Sequence, residues 1–376
     1  MIKFNSKEIL PTLARLASVV DSKNTLPILS NIKFFVKEDG ALYAEASDGQ
    51  SWVFTKVPTM EHDKDVCFCI NAADFFHAVK SLSECVVEMT VTDAQATLVY
   101  DKGSFTLPLA DNTQAFPEPV QMEGGLENTE VHVTASHLAT AIQKVLFAVA
   151  NDEVRQVING VCLDFTDGRM TSVATDGRKL SRYKADVTSI NDGEVKKVII
   201  PTKACMSLLS ILDGIEGEVA FVFNHSQVRF FTDGNELQAR LIEGNYPNYN
   251  AVIPQDGAMG VKLPKTELLD ALKRVIPMGN VKSGLVRLSF SGLTLCIFAE
   301  DKDYSKSAKG MVMCDYTGEG LEIGFNGAVL SECLRMMDGE EVCLELRGAQ
   351  KPGILSETFD GARDEYLSMA MPMMLN

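Results

Sequence analysis

Residues 2–20, IKFNSKEILPTLARLASVV, join a short strand pattern to a helix pattern. The first three residues alternate apolar and polar, as in a half-buried strand. The later apolar residues recur three and four positions apart, as a helix that buries one face requires. Two segments repeat this opening, residues 131–149 (VHVTASHLATAIQKVLFAV) and 261–276 (VKLPKTELLDALKRVI). The starts lie 129 and 130 residues apart, which predicts three copies of one unit.

Two later landmarks recur at nearly the same spacing. One is the turn of a predicted hairpin, at residues 46–49 (ASDG), 174–177 (ATDG) and 299–301 (AED). The other is a strand-to-helix step with a cap or a helix-starting proline, at residues 70–73 (INAA), 200–203 (IPTK) and 325–328 (FNGA). The predicted fold is α+β, with more strand than helix. We expect three repeated domains, at residues 1–127, 128–256 and 257–376.

Composition is typical of a folded globular protein: 376 residues, 46% hydrophobic and 23% charged. This excludes collagen, disordered and rod-like classes. The nine cysteines form no CxxC pair, so we expect reduced, mostly buried thiols. The sequence has neither a signal-peptide pattern nor an apolar run of about 18 residues. It predicts a cytoplasmic protein with no membrane partner. Because the sequence also has no metal-ligand spacing or cofactor motif, we expect neither a metal nor a cofactor.

Charge is unevenly distributed along the chain. The net charge is −16, from 35 Lys and Arg against 51 Asp and Glu. Nine basic and five acidic side chains lie in the six predicted helices, at residues 6–20, 71–82, 135–149, 202–212, 264–277 and 327–337. Ordinary solvated lysines would explain part of this difference. Because the chain is a threefold repeat, the difference also favours a basic surface built from helices and an acidic surface built from strands and loops.

Six segments, in order along the chain, resemble the bacterial sliding clamps, the beta subunit of DNA polymerase III. They are TLPIL (25–29), NG (159–160), VATDGRKL (173–180), YPNY (246–249), IGFN (323–326) and MPM (371–373). The resemblance covers the full length. It implies three clamp domains per chain and a head-to-tail homodimeric ring around duplex DNA, with helices lining the hole and sheets outside. It also implies a non-catalytic processivity factor that tethers the replicative polymerase to DNA.

Helix geometry independently favours two chains per ring. Helices packed about 8–10 Å apart enclose about 18 Å when six form a circle and about 35 Å when twelve do, against about 20 Å for duplex DNA. Six helices from one chain are too few, whereas twelve leave a water-filled margin for sliding. Head-to-tail contacts that close on themselves supply the required symmetry.

The resemblance further implies a groove between the second and third domains, where polymerase, clamp loader and repair proteins insert short peptides. Its walls, carried over by position, are Ile158, Thr175, Gly177, Arg178, Leu180, Pro247, Val252, Asn326, Val329, Met371, Pro372 and Met373. Flexible, polarizable methionines suit a groove that accepts several peptides; core filling is the alternative for this methionine-rich end. Ala251 and Met374 stand where basic residues are common and Val329 where some members have an aromatic, which makes this groove less cationic.

Candidate DNA-binding residues come from two arguments. The resemblance points to Lys23, Arg155 and Gln156, and the charge argument adds Lys80, Lys144, Lys203 and Lys273. Each of the four added lysines could equally be ordinary surface charge. The expected binding is weak, sequence-independent and salt-sensitive, because phosphate contacts do not read bases.

The resemblance also implies a dimer seam. It sets Phe105 and Leu107 of one chain against Ile276, Pro277 and Met278 of the other. Core packing within each domain is the alternative explanation for these apolar residues.

Two other functions compete with the clamp. A hydrolase could use Asp48, Asp176 and Asp301, but Asp-Gly in a hairpin is first of all a turn. The sequence has no phosphate-binding loop, nucleophile elbow or metal-ligand spacing that would support catalysis. Binding of a divalent metal would distinguish the hydrolase. A protein scaffold that does not bind DNA would share the groove but leave Lys144 and Lys203 without a role.

Overall fold

The computed structural model describes residues 1–21, 24–122, 128–191, 193–255, 259–358 and 361–375. The helices within these ranges are α1 (Ser6–Val19), α2 (Ala72–Lys80), α3 (Ala135–Leu146), α4 (Thr202–Leu212), α5 (Lys265–Val275), α6 (Gly327–Arg335) and α7 (Ala362–Glu365). Short 3₁₀ helices cover Pro27–Ser30, Thr113–Ala115, Gln156–Ile158, Tyr249–Val252 and Ile276–Met278. Among the described helices, none is long and apolar enough to cross a membrane.

The strands in the same ranges are β1 (Ile2–Asn5), β2 (Asn31–Val36), β3 (Leu42–Ser47), β4 (Ser51–Lys56), β5 (Glu61–His62), β6 (Cys67–Asn71), β7 (Val86–Val91), β8 (Gln95–Tyr100), β9 (Gly103–Pro108), β10 (Thr129–Thr134), β11 (Gly160–Asp164), β12 (Met170–Thr175), β13 (Lys179–Ala185), β14 (Ser189–Ile190), β15 (Lys197–Pro201), β16 (Glu218–Phe223), β17 (Gln227–Thr232), β18 (Asn235–Arg240), β19 (Met259–Pro264), β20 (Leu285–Ser291), β21 (Thr294–Asp301), β22 (Lys306–Met313), β23 (Leu321–Asn326), β24 (Glu341–Leu346), β25 (Gly353–Ser356) and β26 (Tyr366–Ala370). The predicted α+β fold with a strand majority is confirmed.

All six predicted helices are present, with ends that differ from the predicted ones by up to three residues. Their starts follow from local capping. Asn5 accepts hydrogen bonds from two amides of the first turn of α1, and Asn326 does the same for α6. The seventh helix, α7, was not predicted, because its four residues are too few to show a helical period.

The first two predicted hairpin turns are confirmed, between β3 and β4 and between β12 and β13. The third prediction is wrong by a few residues. Residues 299–301 form the end of β21, and the turn falls at 302–305. The cause is strand length: β21 and β22 have eight residues each and stay paired to the Asp301↔Lys306 position.

The chain divides into two compact units by its internal contacts. Unit 1 comprises residues 1–139 with 187–243, and unit 2 comprises residues 140–186 with 244–376. Unit 1 holds a five-stranded sheet in the order β5-β1-β7-β8-β9 and a nine-stranded sheet in the order β14-β10-β16-β17-β18-β4-β3-β2-β6. All pairings between these strands are antiparallel.

Unit 2 holds a four-stranded antiparallel sheet in the order β22-β21-β20-β23. Seven more of its strands pair in the order β11-β12-β13-β26-β25-β24-β19. Its largest core packs α5 and α6 against these sheets, with Leu268, Leu272, Leu330 and Leu334 at most 1% exposed. The helical spacing of these leucines is the apolar period expected from the sequence.

Sheets continue across the borders of the sequence repeats. In unit 1, β4 of the first repeat pairs with β18 of the second, with Val53 opposite Leu237. In unit 2, β13 of the second repeat pairs with β26 of the third, with Leu180 opposite Met369. The compact units therefore combine strands of different repeats. The predicted borders at residues 127 and 256 lie outside the described residues and stay predictions.

Candidate partner-binding groove

An apolar cavity of about 390 Å³ opens on the surface of unit 2. The β12–β13 hairpin, the segment before β11, the segment near residue 250 and the last strand contribute its walls. The lining residues are Arg155, Ile158, Thr175, Gly177, Lys179, Leu180, Pro247, Asn248, Tyr249, Val252, Pro352, Met369 and Met371. Its size and apolar character suit one or two large side chains of a ligand.

The hairpin wall is shaped by its own turn. Asp176 Oδ1 accepts hydrogen bonds from the amides of Arg178 and Lys179, at 2.7 and 2.8 Å. Thr175 Oγ1 donates to the carbonyl oxygen of Lys179 at 2.7 Å. Gly177 has φ of 84°, which side chains other than glycine adopt only with strain. The turn therefore holds Thr175 and Gly177 in place at the edge of the cavity.

Beneath the cavity lies a small apolar cluster that includes Leu180, Met369, Tyr249 and Ile253. Leu180 is only 1% exposed, so it belongs to the floor and to the packed interior together. The Tyr249 hydroxyl donates to Asp164 Oδ2 at 2.7 Å, and burial followed by this hydrogen bond raises the pKa of Tyr249. Tyr249 is therefore a neutral, fixed part of the floor.

The C-terminal segment forms another wall through its backbone. The Met371 amide donates to the carbonyl oxygen of Arg178 at 2.8 Å, and the Met373 amide donates to that of Gly324 at 2.7 Å. Met371 is 42% exposed and lines the cavity. Its flexible thioether is thus held beside the groove while remaining free to adapt to a ligand.

Charged side chains at the groove are internally paired. Lys179 Nζ lies 2.5 Å from Glu332 Oε2 and 3.7 Å from Asp176 Oδ2. The Arg155 guanidinium donates from Nε and Nη2 to Asp152 Oδ2, at 3.0 and 2.8 Å. These contacts, together with backbone amide donors, lower the pKa of Asp152; the hydrogen bond from the Arg155 amide contributes most.

Seven of the twelve predicted wall residues line this cavity: Ile158, Thr175, Gly177, Leu180, Pro247, Val252 and Met371. The other five are not among its lining residues. Arg178 is exposed beyond the turn, while Pro372 and Met373 lie half-buried further along the tail. Asn326 caps α6, and Val329 packs on the core of unit 2.

Sequence reasoning missed Lys179, Asn248, Tyr249, Pro352 and Met369, and it placed Arg155 at DNA rather than at the groove. The signal for three of them was present, because Lys179, Asn248 and Tyr249 stand inside the quoted segments 173–180 and 246–249. That partners bind in this cavity stays a prediction.

Comparison with known proteins covers nearly the whole chain. Family models of the DNA polymerase III beta subunit match its N-terminal domain at residues 2–118, its central domain at 132–248 and its C-terminal domain at 250–373. The chain belongs to the DNA polymerase III beta subunit family. The beta sliding clamp of Pseudomonas aeruginosa is 27% identical over 98% of each chain. That of Bacillus subtilis is 27% identical over 89% of this chain and 90% of the relative.

Solved structures of sliding clamps share this fold. A Pseudomonas aeruginosa clamp bound to griselimycin matches with a TM-score of 0.89 and 26% identity, covering 100% of this chain and 99% of that one. The Thermotoga maritima beta subunit matches with a TM-score of 0.90 at 23% identity, covering 100% and 99%. The predicted family and clamp-domain fold are confirmed.

Most of the predicted DNA-binding residues of this chain are accessible. Lys80, Arg155, Gln156 and Lys273 are exposed. Lys203 is 60% exposed but forms an ion pair with Asp21 and lies 3.9 Å from Asp48 Oδ2. Lys23 lies outside the described residues. Contact of these side chains with DNA stays a prediction.

Lys144 differs from the other predicted DNA ligands. It is 8% exposed, and its Nζ donates to the carbonyl oxygen of Met336 at 2.5 Å and pairs with Asp338 Oδ2 at 2.7 Å. The ammonium group also lies 4.8 Å from the centre of the Tyr366 ring. We therefore correct the prediction: Lys144 fastens α3 to the end of α6 within unit 2 and is not a free surface cation.

The predicted seam residues are only partly covered within the chain. Phe105 and Leu107 are half-buried on β9, the last strand of its five-stranded sheet. Pro277 and Met278 are exposed, whereas Ile276 is half-buried against the core of unit 2. Core packing therefore accounts for Ile276 in part and leaves the apolar surface of the other four available for a partner.

The carboxylates proposed for a hydrolase are occupied by their own turns. Oδ1 of Asp48, Asp176 and Asp301 each accepts backbone amide hydrogen bonds within the following three residues. Within the described ranges, no group of three or more His, Cys, Asp or Glu residues could hold a metal ion. These contacts give the three aspartates a structural role in the turns.

Proposed function

We propose that this protein is a DNA sliding clamp, a homodimeric ring that encircles duplex DNA and tethers the replicative polymerase for processive synthesis. The observation that carries the proposal is the match of all three beta-subunit domain models in order across residues 2–373. The role requires encirclement and tethering rather than catalysis, so we propose a non-catalytic processivity factor.

Two sheet edges support a head-to-tail dimer. β9 ends the five-stranded sheet of unit 1, and β22 ends the four-stranded sheet of unit 2. Unpaired edge strands present free backbone donors and acceptors and favour pairing with another chain. Pairing of β9 from one protomer with β22 from its partner would cover both edges. Repeating the contact would close a two-membered ring and bury Phe105 and Leu107.

DNA would be held by encirclement and by phosphate contacts. The exposed cations Lys80 and Lys273 would contact phosphates, which carry no base information, so the binding would be sequence-independent and would weaken as salt rises. The net charge of −16 would repel DNA from the other surfaces.

Partners would reach the ring through the groove of unit 2. Its apolar floor and adaptable methionine wall suit short peptides with leucine and aromatic anchors. We propose that the replicative polymerase, the clamp loader and repair proteins carry such peptides.

Retention on DNA tests encirclement directly. The protein is loaded onto nicked circular DNA with a bacterial clamp loader, and its dissociation rate is compared before and after the DNA is linearised. A ring remains on circles and slides off linear ends, so dissociation should accelerate strongly on linearisation. Equal dissociation rates would reject the proposal. Sedimentation equilibrium at micromolar concentration tests the dimer, and a mass equal to that of one chain would reject it.

A further inference from the structure

The lysine that lines the groove of unit 2 is neutralised from two sides. Lys179 forms its closest contact with Glu332, on α6, and a longer one with Asp176, in the hairpin turn. The Lys179 side chain is only 10% exposed, and its Nζ lies 5.6 Å from the centre of the Phe147 ring. A ligand therefore meets a cation that already has two carboxylate partners.

The second cation at the groove is paired as well. Arg155 holds Asp152 through two nitrogens of its guanidinium group. Every other lining residue is uncharged. Arg178 is exposed next to Lys179, but it does not line the cavity. Both positive side chains that line the groove are therefore already paired with carboxylates.

We propose that the groove selects peptides that carry no acidic residue next to or between their apolar anchors, and that Glu332 is the residue that sets this preference. The inference rests on the proposed function of the groove as a peptide site. A peptide carboxylate near Lys179 would lose hydration and would meet Glu332 and Asp176 as well as the ammonium group. The attraction would therefore not offset the cost of desolvation.

Three fluorescent peptides test the preference on the full-length protein. They are Gln-Leu-Ser-Leu-Phe and two acidic analogues, Glu-Leu-Ser-Leu-Phe and Gln-Leu-Asp-Leu-Phe. Wild type should bind the neutral peptide at least as tightly as either analogue. Glu332→Gln leaves the shape of the side chain and frees Lys179 from its nearest partner. It should lower the Kd of at least one acidic peptide, relative to the Kd of the neutral peptide, by about two- to fivefold. This is the range that a partly exposed ion pair supplies.

Two further variants identify the cause. Adding Lys179→Met to Glu332→Gln should remove the shift, because the freed cation is gone. Glu88→Gln changes the net charge equally, and Glu88 forms a comparable ion pair, 2.8 Å from Lys3 and 53% exposed, in the five-stranded sheet of unit 1. It should leave the ratio unchanged.

Several results would overturn the inference. The inference fails if the wild type binds an acidic peptide more tightly than the neutral one. It also fails if Glu332→Gln leaves the ratio of acidic to neutral Kd values unchanged, or if Glu88→Gln changes that ratio as much as Glu332→Gln does. With any of these, binding of the neutral peptide would leave the proposed function standing. If no peptide binds the wild type, the proposed use of the groove fails and this inference fails with it.

Discussion

Units 1 and 2 contain the same Asp-Gly hairpin turn in different surroundings. In each turn the aspartate Oδ1 accepts two backbone hydrogen bonds, at 2.7–2.9 Å. The glycine that follows has φ of 88° at Gly49 and 84° at Gly177. The local chemistry of the two turns is thus the same, since both need an Asx bond and a residue with positive φ.

The neighbours of the two turns differ. A Cβ on Gly49 would lie 3.5 Å from Leu29, which is 1% exposed and packs with Cys69 and Phe116. A Cβ on Gly177 would lie 3.6 Å from the exposed guanidinium of Arg155, at the edge of the groove. The turn therefore determines the hairpin, whereas side chains from distant segments determine whether packed core or an open groove lies beside it.

Removal of the C-terminal wall should have the largest effect on peptide affinity. Deleting residues 371–376 removes Met371 and the rest of this wall from the groove. It should weaken a Gln-Leu-Ser-Leu-Phe peptide by at least about tenfold, because the peptide loses a whole apolar wall and full burial of one large apolar side chain contributes about 1.5–3 kcal/mol. Fluorescence anisotropy measures the change. The proposed seam at Phe105 and Met278 does not include the deleted residues, so the dimer should persist in sedimentation. Unchanged peptide affinity would place partner binding elsewhere.

Leu180→Ala should have the next largest effect, with Leu29→Ala as its counterpart in unit 1. Both leucines are 1% exposed, so each substitution should lower the free energy of unfolding by about 2–5 kcal/mol. Only Leu180→Ala should also weaken the peptide, by about 1–2 kcal/mol, because its side chain forms the groove floor. Calorimetry and peptide titration separate the two effects. Equal peptide affinity in both variants would mean that Leu180 contributes to stability alone.

The two turn glycines should give a smaller effect. Gly49→Ala and Gly177→Ala each place a side chain at positive φ, at a cost of about 1–2 kcal/mol of stability. Peptide affinity should fall a few-fold in Gly177→Ala, because Thr175 and Lys179 move with the turn, and should be unchanged in Gly49→Ala. Chemical denaturation and titration of both variants check this. A loss of affinity in Gly49→Ala would contradict the separation of the two hairpins.

The smallest effect concerns pH and lies in unit 1. Hydrogen bonds to Glu218 and then to Glu130 raise the pKa of His132 above its ordinary value of 6.5. A raised pKa in the folded state means that protonated His132 stabilises the fold. This contribution is complete below the unfolded-state pKa and is lost as the pH rises through the raised folded-state pKa.

The stability advantage of wild type over His132→Gln should therefore shrink as the pH rises from about 5.5 to about 8.5. Denaturant titrations across this range measure it. No histidine lines the groove, so wild type and His132→Gln should bind the peptide with equal affinity at every pH in this range. A pH-independent stability difference would show that His132 gains nothing from its carboxylates.

Much of the fold could be predicted from the sequence because its determinants are local. Strand alternation, helical period and the caps at Asn5 and Asn326 all act within a few residues. Errors about individual side chains occurred where a partner comes from far along the chain. Lys144 is paired by Asp338, and Lys179 by Glu332, 153 residues away. A charge count cannot identify such pairs, so it counted Lys144 as free surface.

The C-terminal wall of the groove depends on Gly324, a residue that does not itself line the cavity. A Cβ at this position would lie 2.7 Å from the carbonyl oxygen of Met373 and 2.9 Å from Leu285 and Leu375, so the tail runs past β23 only because position 324 has no side chain. An inhibitor designed to fill the groove would depend on Met371 staying in place. A substitution at Gly324 would displace that wall and confer resistance without altering any residue that the inhibitor touches.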